Sequence, residues 1–199
     1  MTPPKLQPPG AGLPFFSRLA IRGLGRFMLR RKFTWDTAPA SVEATALRML
    51  GTVSALDGAA FHRPVLVPPM RGLEDSSRHW SPAMVLEHLT LTAPGFLHFI
   101  LSLSRGETTD RVVDTALVKP SGTAGRDVEV KFRELHSGVL ERIARESGPH
   151  RRTPRHRHPW FGPLGARDWS ALFAVHLLLH EKQLHAILNS TPVGRPGST

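Results

Sequence analysis

Residues 169–184 read WSALFAVHLLLHEKQL. Trp169, Phe173, His176, His180, Leu184 and, just beyond, Ile187 recur at three- and four-residue steps, which places them on one face of an α-helix. The stretch predicts a helix over about residues 166–189 that turns this face toward a core. His176 and His180 stand one turn apart on it, and two imidazoles at that spacing can reach a single ion. No glutamate lies between them, so the zinc-protease motif is absent. Two readings of the pair stand side by side: hydrogen-bonded core histidines, or metal ligands. Leucines flank both residues and leave few protein partners for two buried imidazoles, which a metal would satisfy.

Three further helices complete a bundle. The first is expected over about 39–57, with Val42, Ala46, Met49, Leu50 and Val53 on its inner face and Gly58 as its stop. The second starts at Ser81 as N-cap with Pro82 in the first helical position and runs to about Ser104, with a kink expected at Pro94–Gly95. The third is expected over about 125–146, carried by Val128, Phe132, Leu135, Val139 and Ile143. Residues 62–72, HRPVLVPPMRG, read as extended chain because their three prolines forbid a regular helix. Residues 105–121 read as loop, with at most a short extended piece at Val112 and Val113. No convincing strand pair is visible. Four amphipathic helices joined by loops predict an all-α four-helix bundle over residues 36–190.

A ligand set built across a bundle draws its third member from a facing helix. His88, on the face shared with Val85, Thr92 and Phe99, is the best placed, and His98 is poorer because it lies beyond Pro94–Gly95. Three imidazoles with an open position describe a catalytic type of site, for which zinc, nickel and iron are all suitable.

Composition narrows the alternatives. The chain of 199 residues has no cysteine, which excludes disulfides, thiolate nucleophiles and Cys-ligated metals; 11 histidines make imidazole the ligand to look for. Of the net charge of +10, residues 1–35 carry seven basic residues and no acid, and residues 149–159 carry four and no acid. The rest of the chain is therefore close to neutral, unlike a domain that spreads basic residues over a nucleic-acid-binding face. No apolar run reaches the roughly 18 residues of a membrane-spanning helix. The first apolar stretch is broken by arginines, so the expected compartment is the cytoplasm.

Residues 1–35 read as a separate N-terminal extension. Its first dozen residues are rich in Pro and Gly and expected to be disordered. Over residues 13–33, Arg18, Arg22, Arg26 and Arg30 recur every four residues beside Phe16, Ala20, Leu24 and Phe27. Such a basic amphipathic helix either lies on anionic lipid or leads into the bundle with its arginines in water. Residues 191–199 read as a flexible tail.

Residues 78–91, RHWSPAMVLEHLTL, and 158–188, HPWFGPLGARDWSALFAVHLLLHEKQLHAIL, resemble the second and last helices of the DinB/YfiT-like superfamily, and the helix plan extends the resemblance over roughly residues 36–190. The resemblance implies a four-helix bundle with one divalent metal on three histidines, here His88, His176 and His180. It implies a small-molecule substrate, since some members transfer thiol cofactors or isomerise small molecules and many are described as metal-dependent hydrolases. The basic extension and the Arg/His-rich loop before the last helix depart from a minimal member. No catalytic residue beyond the ligands is assigned. The expected partners are that substrate, a membrane surface for residues 13–33 and a second copy of the chain, with no specific nucleic acid.

The remaining candidates have plainer readings. Glu87 and Glu181 adjoin the ligands in sequence but read as exposed helix-face residues. His156 and His158 read as solvated members of a basic loop, Trp80, Trp160 and Trp169 as packing, and Ser81 as a cap rather than a nucleophile.

Overall fold

The computed structural model describes residues 5–8, 24–149 and 154–190. The expectations for the first residues, for residues 13–23 and for the tail 191–199 lie outside them. Seven helices are present among the described residues: α1 (Arg26–Lys32), α2 (Thr37–Ser54), α3 (Gly58–His62), α4 (Pro82–Ser104), α5 (Asp127–His136), α6 (Val139–Glu146) and α7 (Ala166–Asn189). Helices α2, α4, α5–α6 and α7 take the four places of the bundle. Helix α7 packs on α4 and α2, and α5 packs on α4 and α2.

Helix α4 begins as its sequence dictates. The Ser81 side chain accepts a hydrogen bond from the Met84 amide, and Pro82 needs no amide partner in the first turn. The helix continues through Pro94, although a proline inside a helix costs about 3 kcal/mol. Fifteen of its 23 residues are buried, so tertiary packing outweighs that local penalty. It is also long and apolar enough to cross a membrane, but here it is the central core helix.

Three features differ from expectation. Helix α2 ends at Ser54, and Gly58 opens α3 rather than stopping α2; Asp57 caps α3 by accepting from the Ala60 amide at 2.7 Å. The third bundle helix is two helices, because Gly138 sits at φ 72°, a left-handed conformation that breaks the run. Two antiparallel strand pairs are present where none was expected. β1 (Val65–Leu66) pairs with β2 (His79–Trp80), and β3 (His156–His158) pairs with β4 (Gly162–Leu164). The first pair delivers Trp80 and Ser81 to the start of α4, and the second folds residues 158–164 back against the start of α7. Val112 and Val113 form no strand.

Helix α1 packs on α7, and Leu29 and Phe33 join the core. Arg30 pairs with the fully buried Asp168 at 2.6 Å, and Asp168 also accepts from the Gly165 amide at the start of α7. Residues 26–33 thus belong structurally to the bundle.

Candidate metal centre

Helix periodicity places His176 and His180 on the face of α7 that packs against α4, and His88 projects from α4 between them. Ring centroids lie 5.1 Å apart for His88–His176, 4.7 Å for His88–His180 and 4.7 Å for His176–His180. One nitrogen from each ring lies within 4.8 Å of the others. This cluster could hold a metal ion.

The surrounding hydrogen bonds fix which nitrogens face inward. His88 Nδ1 lies 2.6 Å from the Val118 carbonyl, which can only accept, so Nδ1 carries the proton and donates. His180 Nδ1 lies 2.7 Å from Gln183 Oε1. The other end of that amide donates to the Ser77 carbonyl at 2.7 Å, so Gln183 must accept from His180. In both rings Nε2 is left as a bare lone pair, the tautomer of a metal-ligating histidine whose outer nitrogen is held by a carbonyl. His176 Nε2 stands 3.5 Å from Thr92 Oγ1, too long a contact to fix that ring firmly.

Electrostatics keep the rings neutral. Burial, helped by the Lys119 ammonium and opposed by the Val118 hydrogen bond and the Glu74 carboxylate, lowers His88 to about 4. His176 and His180 lie well below the ordinary histidine value, through burial first and then through repulsion from His180 and His88 on one and from His88 on the other. Three deprotonated nitrogens of one donor type suit a borderline divalent cation, and binding would have no proton to displace at neutral pH.

Trp80 covers one side of the cluster, stacked on His180 at 5.8 Å and 9° and tilted against His88 at 5.1 Å. Lys119 Nζ lies 5.5 Å from the Trp80 ring centroid and is paired with the buried Glu74 at 2.6 Å. On the other side a cavity of about 300 Å³ opens from the histidines, within the size range of small-molecule sites.

The remaining candidates fall elsewhere. Glu87 accepts from the Ser121 amide and hydroxyl at 3.0 and 2.6 Å, and Glu181 pairs with Arg48 at 2.7 Å; neither bonds a clustered ring. His98 bonds Thr109 and stays outside the cluster. The solvated reading of His158 is corrected. The β3–β4 hairpin buries it against Trp169, its Nδ1 accepts from the Trp160 and Phe161 amides, and burial pushes it down to about 4. His156 is half-buried and stacks on Phe99 at 4.5 Å. Trp80 and Trp169 are core residues as expected, and Trp160 and Trp169 also line the cavity.

Sequence reasoning missed Gln183, Glu74 and Lys119. Gln183 carried one readable signal, a polar residue three positions after His180 on an otherwise apolar face.

The sequence matches no family model, and comparison with curated proteins gives no match. A solved structure described as that of TT2238, a four-helix bundle protein, is similar in fold, with a TM-score of 0.55 and 24% identity. The similarity covers 77% of this chain and 99% of that one, and it concerns the fold alone.

Proposed function

We propose that this is a DinB/YfiT-like protein that binds one divalent metal through His88, His176 and His180 and acts as a metal-dependent hydrolase or thiol transferase on a small molecule. The observation that carries the proposal is the pair of outer hydrogen bonds at His88 and His180, which leaves both Nε2 lone pairs free within a cluster of neutral imidazoles. Zinc, nickel or iron in this site supplies a Lewis acid that polarises a substrate oxygen or sulfur. The chain's own part is to orient the rings through Val118 and Gln183, to shield one side with Trp80, and to offer an apolar cavity on the other. The proposed compartment is the cytoplasm.

Elemental analysis of tag-free protein tests the proposal. About one equivalent of a transition metal is expected, lost in a His176→Ala/His180→Ala double variant. Wild-type protein that takes up neither zinc nor nickel on incubation overturns it.

A second reading, peripheral attachment to an anionic membrane through residues 13–33, has one supporting observation. Leu24, Phe27 and Met28 are exposed, with Arg31 and Lys32 in the following turn. Because Leu29 and Phe33 belong to the core, the suitable variant is Phe27→Ser/Met28→Ser rather than deletion of residues 1–35. Salt-sensitive liposome binding lost in that variant is expected from this reading, and wild-type protein that stays off anionic vesicles at low salt refutes it.

A further inference from the structure

The cavity beside the histidines is walled mainly by carbon. Phe96, Phe99 and Leu172 line its depth, buried in the core. Val112 and Leu117 also line it yet remain 82% and 79% exposed, which puts them at its mouth on the loop of residues 105–121. A single exposed aliphatic residue is ordinary, but two on one loop, continuous with a concave apolar wall, form a surface that a ligand would cover.

Glu74, Lys119 and Asp114, which border the cavity, are already engaged. Glu74 accepts from Lys119 at 2.6 Å and from the Thr115 hydroxyl at 3.1 Å, and Lys119 donates to Ser77 as well. Asp114 accepts from the Ala116 amide at 2.8 Å. His158 presents no charge, and its Nδ1 is occupied by two backbone amides. Arg111 lines the cavity only at its mouth, on the exposed stretch of the loop beside Val112, and not along the buried wall. A ligand that carried charges along the buried wall would find no partners there and would lose its hydration.

We infer that the ligand of this site is an amphiphile, with a small oxygen or sulfur head at His88, His176 and His180 and an uncharged alkyl or arylalkyl tail along Phe96 and Phe99 that ends under Val112 and Leu117. The inference rests on the metal-binding proposal and narrows it to a substrate class.

A homologous series of alkyl hydroxamates, from acetohydroxamate to octanohydroxamate, tests it by calorimetry on the zinc-loaded full chain. Affinity is expected to rise about three- to fourfold per added methylene until the mouth is reached, the gain for a buried methylene. Val112→Asp/Leu117→Asp, which alters exposed positions only, is expected to flatten that rise for the longer members. Equal affinity across the series, no binding by any member to metal-loaded protein, or a slope unchanged in the double variant overturns the tail assignment while the metal site stands. A chain that holds no metal removes the parent proposal. The cavity is then read with n-alcohols, by quenching of Trp160 and Trp169 fluorescence: affinity that climbs with length keeps the apolar-tail assignment, and none that does overturns it.

Discussion

Gln183 Oε1 accepts the Nδ1 proton of His180 at 2.7 Å, one turn further along the same helix, while the amide's opposite end is tied to the Ser77 carbonyl. A single side chain thereby fixes a ring's tautomer and anchors it to the segment before α4. Gln183→Leu removes the acceptor, and zinc affinity is expected to fall about 10- to 100-fold in a chelator-competition titration. Gln183→Glu keeps an acceptor for Nδ1 and is expected to stay within a few-fold of wild type. Equal losses in both variants would reduce Gln183 to a packing residue.

His136 gives a pH dependence separate from the metal centre. It is fully buried, donates from Nδ1 to the Phe132 carbonyl, and is pushed by burial down to about 4 from its ordinary 6.5. With the folded value depressed, the unfolded chain takes up the proton first as pH falls. The stability associated with the neutral ring is complete above about pH 6.5, declines below it and is gone near pH 4. The full change amounts to about 3 kcal/mol at 1.36 kcal/mol per pH unit. Urea midpoints at several pH values should show His136→Leu gaining on wild type across that window, and a constant difference would contradict the burial argument.

Gly138 and Gly51 predict opposite outcomes for the same substitution. Both have open space where a Cβ would go, but Gly138 alone has a positive φ. Gly138→Ala is expected to destabilise by about 1–2 kcal/mol, and Gly51→Ala in α2 to stabilise by about 0.5–1 kcal/mol. Thermal melts of the two variants should move in opposite directions. A shared direction would show that the αL turn between α5 and α6 does not control stability.

The Arg30–Asp168 pair is asymmetric, with side chains 44% and 0% exposed. Arg30→Ala removes a bidentate counter-charge from a buried carboxylate. It should cost about 2 kcal/mol, less than a fully buried pair because Arg30 is partly in water. Asp168→Asn releases an arginine into solvent and weakens the Gly165 contact at the start of α7, costing about 1 kcal/mol. Chemical denaturation that ranks the two the other way round would show the cap contact to outweigh the charge.

The legible parts of the fold were those with strong local chemistry. Ser81–Pro82 marked the start of α4, and the long apolar period of α7 fixed its extent. The break at Gly138 was invisible because Val128, Phe132, Val139 and Ile143 keep a helical period across it and all remain buried. Strands of two or three residues are too short to show alternation, so both hairpins were missed. At the centre, spacing paired His176 with His180, and the shared face of α4 pointed to His88. The outer partners could not be read, because the Val118 carbonyl comes from a loop whose path no local pattern specifies. His158 was misjudged from its arginine neighbours, although the aromatic residues that follow it do the burying.

One stretch of backbone does two jobs. The loop that carries Val112 and Leu117 at the mouth of the cavity also supplies, at Val118, the carbonyl that sets the His88 ring, and it is clipped to Glu74 through Thr115 and Lys119. The proposed ligand at the mouth and the proposed metal at the centre would therefore both bear on one mechanical element. Thermodynamic reciprocity requires any factor by which one alters the other to act equally in reverse. Substitutions at Glu74, which holds the loop through Thr115 and Lys119, are where that cooperativity could be tuned.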